Sequence, residues 1–307
     1  DLHSANLPDG KENKLSRIGQ DCVDIEGDRV RYCLESVVAG KESGMEKHLV
    51  IPCYNEFDRI PIDRYLEFLS ENIEWTLIFV DDGSQDNTLL KLQELHQVRP
   101  RQIVVLRLEK NFGKAEAVRV GMRFGIEQLE SRLVGFADAD LAAPLEEVLR
   151  LEQALERHAH IISALGVRLP LLGRNIHRKR IRAFLGRTFA RAASWALRIR
   201  IRDTQCGMKL FRNNDALRVA LRAPFQSRWV FDVELIKRLL ARHESQLPAR
   251  ELLWEQPLDV WKEVPGSRLK PRDFLTVGLD FVRIMRQNEI PPEPEDRNEP
   301  IVVAMGN

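Results

Sequence analysis

The sequence lacks the cysteine patterns of a metal cluster. Its four cysteines, Cys22, Cys33, Cys53 and Cys206, form no CxxC pair and no zinc spacing. Such usage is typical of a reducing compartment. No run approaches the roughly 20 apolar residues that span a bilayer, and residues 1–14 lack the apolar middle of a signal peptide. We therefore expect a soluble or peripherally membrane-associated protein in the cytoplasm.

The sequence also lacks the two common glycine-rich nucleotide motifs. No GxGxxG follows the first predicted strand, and no GxxxxGK[ST] occurs anywhere. These absences exclude a dinucleotide fingerprint and a P-loop, so nucleotide binding, if it occurs, must use another geometry.

Acidic residues are missing from one long window. The formal net charge is only +1, yet no Asp or Glu lies between Glu156 and Asp203, a window that holds twelve Lys and Arg. From Arg174 to Arg200 these cations alternate with Ile, Phe, Leu and Trp at partly helical spacing, which predicts an interfacial helix on anionic lipid. Nucleic acid is the alternative partner, but no recognised binding module accompanies the charge, so we predict none.

What the sequence does contain is a regular alternation of strands and helices. The predicted strands are "HLVIP", "WTLIFVDDGS", "RQIVVLRLEK" and "SRLVGFADAD", with amphipathic helical patterns between them. This order predicts an α/β fold with a Rossmann-like, mostly parallel sheet flanked by helices. Ligands of such sheets bind beyond the carboxyl ends of the strands.

Two carboxylates follow the fourth predicted strand. Asp138 and Asp140 are two residues apart and can therefore face the same side. Two such charges repel by roughly 1 kcal/mol in water and by more in a cleft. A solvated acidic turn would also explain the pair, but the polar loops "PCYNE", "DDGSQDN" and "NFGKAEA" end the other strands at the same rim. The pair therefore predicts a site for Mg²⁺ or Mn²⁺.

The ordered motifs "VIPCYNE", "FVDDGSQDNT", "NFGKAEAV" and "DADLAAP" resemble those of inverting family 2 glycosyltransferases, which have the GT-A fold. The later stretches "LGVRLP", "RDTQCGMKLFR", "RWVFDVEL" and "EVPGSRL" are similar to those of polyprenyl-phosphate (dolichyl-phosphate) glucose and mannose synthases. The resemblance covers about residues 47–285. It implies transfer of a hexose from UDP-glucose or GDP-mannose to a polyprenyl phosphate at a membrane surface, and "DTQCG" favours glucose.

The resemblance also implies roles for matching residues. The residues implied to hold the nucleotide are Pro52, Tyr54, Glu56 and Asp82, with Lys114 and Asp138 near the phosphates. Asp138 and Asp140 would hold the metal, and Ala142 stands where many relatives have a glutamine ligand. A guanidinium can form two hydrogen bonds to one phosphate. The candidates for binding the acceptor phosphate are therefore Arg168, Arg182 and Arg268. Asp138, Asp140 and Arg168 are the predicted catalytic residues.

Two other functions stay open at this point. A family 2 transferase acting on a hydroxyl acceptor would need a carboxylate base, for which the candidates are Asp203, Asp232 and Glu234. A non-catalytic nucleotide-sugar binding module is the third hypothesis. Whether a partner protein anchors the chain at a membrane is also left open.

The predicted organisation has four parts. Residues 1–44 are an N-terminal extension that is either a short strand pair or a disordered arm, and residues 45–270 form the GT-A catalytic domain. An amphipathic helix is predicted over 271–290 and a disordered tail over 291–307.

Overall fold

A computed structural model of the protein describes residues 32–34, 46–177, 180–243, 247–264, 273–286 and 302–305. In chain order the strands are β1 (Tyr32–Leu34), β2 (Lys47–Cys53), β3 (Trp75–Asp81), β4 (Ile103–Leu108), β5 (Leu133–Phe136), β6 (Ser163–Val167), β7 (Asn175–His177), β8 (Lys209–Arg212), β9 (Leu253–Pro257), β10 (Val260–Lys262) and β11 (Val302–Met305). The helices are α1 (Ile62–Glu71), α2 (Thr88–Val98), α3 (Lys114–Glu127), α4 (Glu147–Arg157), α5 (Arg180–Leu197), α6 (Asp215–Arg222), α7 (Phe231–Arg242), α8 (Ala249–Leu252) and α9 (Asp273–Arg286).

Nine of the strands in these ranges form one sheet, in the order β1-β11-β4-β3-β2-β5-β8-β6-β9. The four strands predicted from the sequence, β2 to β5, run parallel at its centre. β8 is antiparallel to both of its neighbours, β5 and β6. The predicted mostly parallel α/β sheet is therefore confirmed, with antiparallel pairing at β8 and between β11 and β4.

The alternating side chains of the central strands build two separate cores. On β2 and β3, one face carries Leu49, Ile51 and Phe79, which pack with residues of α1, α2 and α4. The opposite face carries Val50 and Ile78, which pack with residues of α3, α6 and α7. Because both faces of β2 and β3 are covered, these strands are almost continuously apolar, as expected of a buried parallel sheet.

Two short strands lie in the terminal segments. β1 falls within the predicted N-terminal extension, 1–44, and pairs with β11. The prediction of a disordered tail over 291–307 does not hold for Val302–Met305, because that strand pairs with β4 across backbone hydrogen bonds. The remainder of both segments lies outside the described residues. α9 lies within the segment predicted as an amphipathic helix.

None of the helices in the described ranges combines the length and the apolar composition that a membrane-spanning segment requires.

The pH dependence of stability is expected to contain a large contribution from His48. Its ring is buried in β2, with Nδ1 2.7 Å from Ser131 Oγ, and burial lowers its pKa from 6.5 to about 4. Because the folded state keeps this ring neutral, stability is lost as the pH falls from 6.5 towards 4. The loss by pH 4 is about 3 kcal/mol of unfolding free energy.

Urea unfolding of His48→Asn between pH 7 and pH 4 checks this expectation. The variant should lose less unfolding free energy than the wild type over that interval, while His177→Asn, a substitution at an exposed histidine, should follow the wild type. Equal pH slopes for the wild type and His48→Asn would contradict the assignment.

Candidate active site

The carboxyl ends of the central strands bring the predicted polar loops to one rim. β2 and β3 end in register, with Cys53 opposite Asp81, and the next amide, Asp82 N, donates to Cys53 O at 2.8 Å. On the other side of β2, Ala137 N donates to Val50 O at 3.0 Å. The loops that start at residues 54, 82 and 137 therefore leave the sheet side by side.

The two aspartates each contact a cation. Lys114 Nζ, in the first residue of α3, lies 2.5 Å from Asp138 Oδ1. Arg59 Nη2 lies 2.5 Å from Asp140 Oδ2, and Ala142 N donates to the other oxygen of Asp140 at 3.2 Å. The site is therefore a compact set of two anions and two cations.

The pKa values of the two aspartates move in opposite directions. Burial opposes ionisation of Asp138, but the adjacent Lys114 ammonium outweighs it and holds the pKa of that carboxyl below its ordinary value. For Asp140, burial and the charge of Asp138 both raise the pKa above its ordinary value. The two carboxylates thus interact electrostatically, as expected for neighbours on one strand end.

The donor set fits a divalent cation only in part. In the described ranges, no group of three or more His, Cys, Asp and Glu is arranged to hold a metal ion. Asp138 and Asp140 offer two carboxylates, and Ala142 offers no side-chain ligand. Mg²⁺ and Mn²⁺ accept such an incomplete set when substrate phosphates and water supply the other oxygens. The residues therefore fit a cation shared with a diphosphate.

Asp82 organises the loop between β4 and α3. Its two carboxylate oxygens accept hydrogen bonds from Phe112 N at 2.7 Å and Gly113 N at 2.8 Å. Burial raises the pKa of Asp82 to about 6, against the lowering effect of these two bonds. Gly83 follows with φ +66°, and a Cβ there would lie 2.5 Å from the carbonyl carbon of Lys110. Only glycine therefore lets the two loops approach.

The loop after β2 is held against the next loop along the rim. Asn55 N donates to Ser84 Oγ at 3.0 Å, and Glu56 N donates to Thr88 Oγ1 at 2.8 Å. Pro52 and Tyr54 are partly buried at the same strand end. Sequence reasoning placed Pro52, Tyr54 and Glu56 here, and the structure brings them beside Asp82.

Arg168, just beyond the end of β6, is fixed by an ion pair. Its Nε and Nη2 donate to the two oxygens of Asp203 at 2.7 and 2.8 Å, and its guanidinium lies 5.3 Å from the centre of the Trp261 ring. Asp203 keeps the pKa of Arg168 raised despite burial. The guanidinium also lowers the pKa of Asp138 through its charge. Arg168 is therefore close enough to act on charge at the aspartate pair.

The other two predicted acceptor arginines are not placed by the structure. Arg182 lies on α5, but its side chain is outside what the structure describes, and Arg268 lies outside the described residues.

Comparison with known proteins shows the family of this chain. Residues 48–218 match the family described as glycosyl transferase family 2. The dolichyl-phosphate beta-glucosyltransferase of Drosophila melanogaster is 33% identical over 259 residues, covering 78% of this chain and 74% of the relative. The chain belongs to glycosyltransferase family 2. The human dolichyl-phosphate beta-glucosyltransferase is 32% identical over 254 residues, which cover 77% of this chain and 74% of the human protein.

A solved structure shows the same fold. Glucosyl-3-phosphoglycerate synthase from Mycobacterium tuberculosis, in complex with Mn²⁺, UDP and phosphoglyceric acid, superposes with a TM-score of 0.52 at 18% identity, covering 82% of each chain. The predicted GT-A fold and the predicted resemblance to dolichyl-phosphate glucosyltransferases are thus confirmed. This chain is a glycosyltransferase.

The three carboxylates considered as a catalytic base in this family 2 glycosyltransferase are all ion-paired. Asp203 binds Arg168, Asp232 binds Lys209 at 2.5 Å, and Glu234 binds Arg238 at 2.5 Å. A cation stabilises the ionised form of a carboxylate and so weakens it as a base. At Glu234, burial outweighs the Arg238 guanidinium and raises the pKa of the carboxyl.

Sequence reasoning missed two residues near Asp138 of the glycosyltransferase, Gly207 and Lys209. A Cβ at Gly207 would lie 1.8 Å from Asp138 Oδ2, so the carboxylate rests directly on this glycine. Lys209, fully buried on β8, donates to Asp232 Oδ1 at 2.5 Å and to Cys206 O at 2.6 Å. The one sequence signal for Lys209 is a charged residue inside the apolar pattern "MKLF".

Proposed function

We propose that the protein transfers glucose from UDP-glucose to a polyprenyl phosphate of the dolichyl type, with inversion, at the surface of a membrane. The observation that carries this proposal is the aspartate pair at the rim, with Lys114 against Asp138 and the Arg168 guanidinium acting on the same carboxylate. The curated relatives named above support glucose as the sugar and dolichyl phosphate as the acceptor.

In the proposed reaction, the residues of this chain hold the diphosphate end of the donor. Lys114 lies where it can donate to a phosphate oxygen once it leaves Asp138, and the loop bound by Asp82 places it there. Asp138 and Asp140 would hold Mg²⁺ or Mn²⁺, which supplies charge stabilisation to the departing UDP. Pro52, Tyr54 and Glu56 border the space left for the nucleoside.

The acceptor phosphate needs cations rather than a base. A phosphate monoester has a second pKa of about 6, so its oxygen is already largely ionised at pH 7. Arg168 is positioned for this anion by Asp203 and Trp261, and we assign Arg182 and Arg268 the same role. Attack of the phosphate oxygen on the anomeric carbon, opposite the UDP, forms one C–O bond as the other breaks and inverts the centre.

The ion pairs of the rim favour this acceptor over a hydroxyl. A hydroxyl nucleophile must lose its proton to a base as it attacks, and each of Asp203, Asp232 and Glu234 is held by a cation. A non-catalytic binding module would have no use for a guanidinium that acts by its charge on Asp138.

The membrane partner is supported by exposed faces of α5 and α9. On α5, three exposed residues follow one another at helical spacing: Arg187, Arg191 and Trp195, the last at 81% exposure. The exposed Arg198 comes directly after the helix. On α9, exposed residues also share one face: Leu279, Val282, Arg283 and Arg286. Tryptophan and aliphatic side chains beside arginines are the composition of a helix that lies on anionic lipid.

The two helices are fastened to the catalytic domain. Phe189 of α5 and Phe281 of α9 pack edge to face at 5.5 Å. Ser227 Oγ donates to Asp280 Oδ2 at 2.7 Å, and Lys237 Nζ donates to Ile284 O at 2.5 Å. A membrane bound by these faces would therefore stand in a fixed position relative to the active site.

Trp195→Ala is expected to weaken binding to vesicles of mixed neutral and anionic phospholipid by roughly tenfold, because burial of one large apolar side chain contributes about 1.5 kcal/mol. Co-sedimentation of the purified protein with vesicles measures this. Trp254→Ala removes an exposed tryptophan that stacks on His158 and should bind as the wild type does. An equal loss of vesicle binding in both variants would contradict a specific lipid-binding face on α5. Vesicle binding by the purified wild-type protein, with no other protein present, would show that no anchoring protein is required.

Radiolabel partition tests the proposed reaction. The protein is incubated with labelled UDP-glucose or GDP-mannose, a short dolichyl phosphate and Mn²⁺ or Mg²⁺. We expect glucose label in the organic phase only when the lipid phosphate and a divalent cation are present. Label in a water-soluble glycan would favour the hydroxyl-acceptor enzyme, and nucleotide binding without transfer would favour the binding module.

A further inference from the structure

Arg59 lies between the loop after β2 and the aspartate pair, Asp138 and Asp140. Its guanidinium is in contact with Asp140 Oδ2 at 2.5 Å and with Glu56 Oε2 at 3.1 Å. Glu56 is in turn fixed by Thr88 through its backbone amide. Arg59 therefore links the loop after β2 to the carboxylate that is expected to bind a metal.

Both oxygens of Asp140 already accept a hydrogen bond. Asp140 Oδ1 already accepts from Ala142 N at 3.2 Å, and Oδ2 accepts from Arg59. A divalent cation that binds through Oδ2 must displace the guanidinium, and one that binds through Oδ1 must tolerate a positive charge beside it. In both cases Arg59 opposes binding of the cation by itself.

Arg59 also has a donor to spare. Its Nε is buried and has no hydrogen-bond partner among the described residues, and its side chain is one-quarter exposed. A guanidinium that leaves Asp140 can bind a diphosphate oxygen at two points. The diphosphate would thus offer Arg59 a new partner at the moment when Asp140 accepts the metal.

We propose that Arg59 is an exchangeable counter-charge for Asp140, which makes binding of the divalent cation depend on the nucleoside diphosphate. This inference rests on the proposed function, because it assumes a donor with a diphosphate. The metal joins the site by exchange: Arg59 moves from the carboxylate to the phosphates, and the cation takes its place. The aspartate pair alone holds the cation weakly, and the cation and the donor bind as a unit.

Titration of the full chain with Mn²⁺, followed by the electron paramagnetic resonance signal of free Mn²⁺, tests the exchange. Arg59→Gln should bind Mn²⁺ without nucleotide at least about tenfold more tightly than the wild type, since a like charge next to the site has been removed. Saturating UDP should increase the Mn²⁺ affinity of the wild type strongly and that of Arg59→Gln less. By reciprocity, Mn²⁺ should enhance UDP binding less in the variant.

Two further variants control for folding and for general surface charge. Arg64→Gln removes an exposed arginine that pairs with Glu67 and Glu146, and its Mn²⁺ affinity should equal that of the wild type. Arg59→Lys keeps the positive charge on a shorter side chain. Its Mn²⁺ affinity without nucleotide should lie between those of the wild type and Arg59→Gln. Equal or weaker Mn²⁺ binding by Arg59→Gln without UDP would overturn the proposal. Failure of the proposed function would appear separately, as no glucosyl transfer by the wild type.

Discussion

Asp140→Ala is expected to lower kcat/KM for glucosyl transfer by about 10³-fold, because the departing diphosphate loses the cation that stabilises its charge. The fold should persist, since Asp140 is partly exposed at the rim. Initial rates with UDP-glucose and dolichyl phosphate, at several Mn²⁺ concentrations, measure the effect. Activity of the variant should no longer rise with Mn²⁺.

Glu146→Ala provides the matched control for Asp140→Ala. Glu146 is an exposed carboxylate close in sequence that pairs with Arg64 at 3.2 Å rather than with a rim cation. Its removal should leave both the rate and the Mn²⁺ dependence intact. An Asp140→Ala protein with wild-type activity would contradict the role assigned to the aspartate pair.

Of the substitutions proposed for this protein, Lys209→Met is expected to lower the free energy of unfolding most. Lys209 and Asp232 form a buried ion pair, and the lysine ammonium lies 5.2 Å from the centre of the Phe136 ring. Removing one partner leaves the Asp232 charge uncompensated in the interior, which costs about 3–5 kcal/mol. A domain of this size should then unfold roughly 10 °C lower. Calorimetry of the purified variant measures this shift.

A double variant separates the unpaired charge from the lost packing. Lys209→Met with Asp232→Leu removes both charges and should recover part of the lost unfolding temperature. Lys110→Met, a change at an exposed lysine, should leave the unfolding temperature unchanged. If the double variant is no more stable than Lys209→Met, the uncompensated charge is not the cause.

The parts of the fold that depend on local pattern were predictable. Strands β2 to β5 follow from apolar runs that end in turn residues, and their parallel order follows from the helices between them. The strand-end rule then placed Asp138 and Asp140 beside the loops of residues 54 and 82. α1 begins at Ile62, directly after Pro61, because a proline disfavours helical conformation of the residue before it.

The remainder of the site depends on contacts between distant segments. Asp203 meets Arg168 across 35 residues of sequence, and Arg59 meets Asp140 across 81. No periodicity indicates such pairings. The antiparallel pairing of β8 with β5 sets Lys209 opposite Phe136, and Gly207, two residues earlier, lies against Asp138. That placement follows from sheet order.

The most direct test of a phosphate nucleophile compares two acceptors that differ in one group. Dolichyl phosphate and dolichol, in the same detergent micelles with UDP-glucose and Mn²⁺, are supplied to the wild-type protein, and labelled glucolipid is counted. We predict transfer to dolichyl phosphate and none above background to dolichol, because the rim supplies Arg168 for an anion and holds its carboxylates in ion pairs. Glucosylated dolichol formed at a comparable rate would contradict the account.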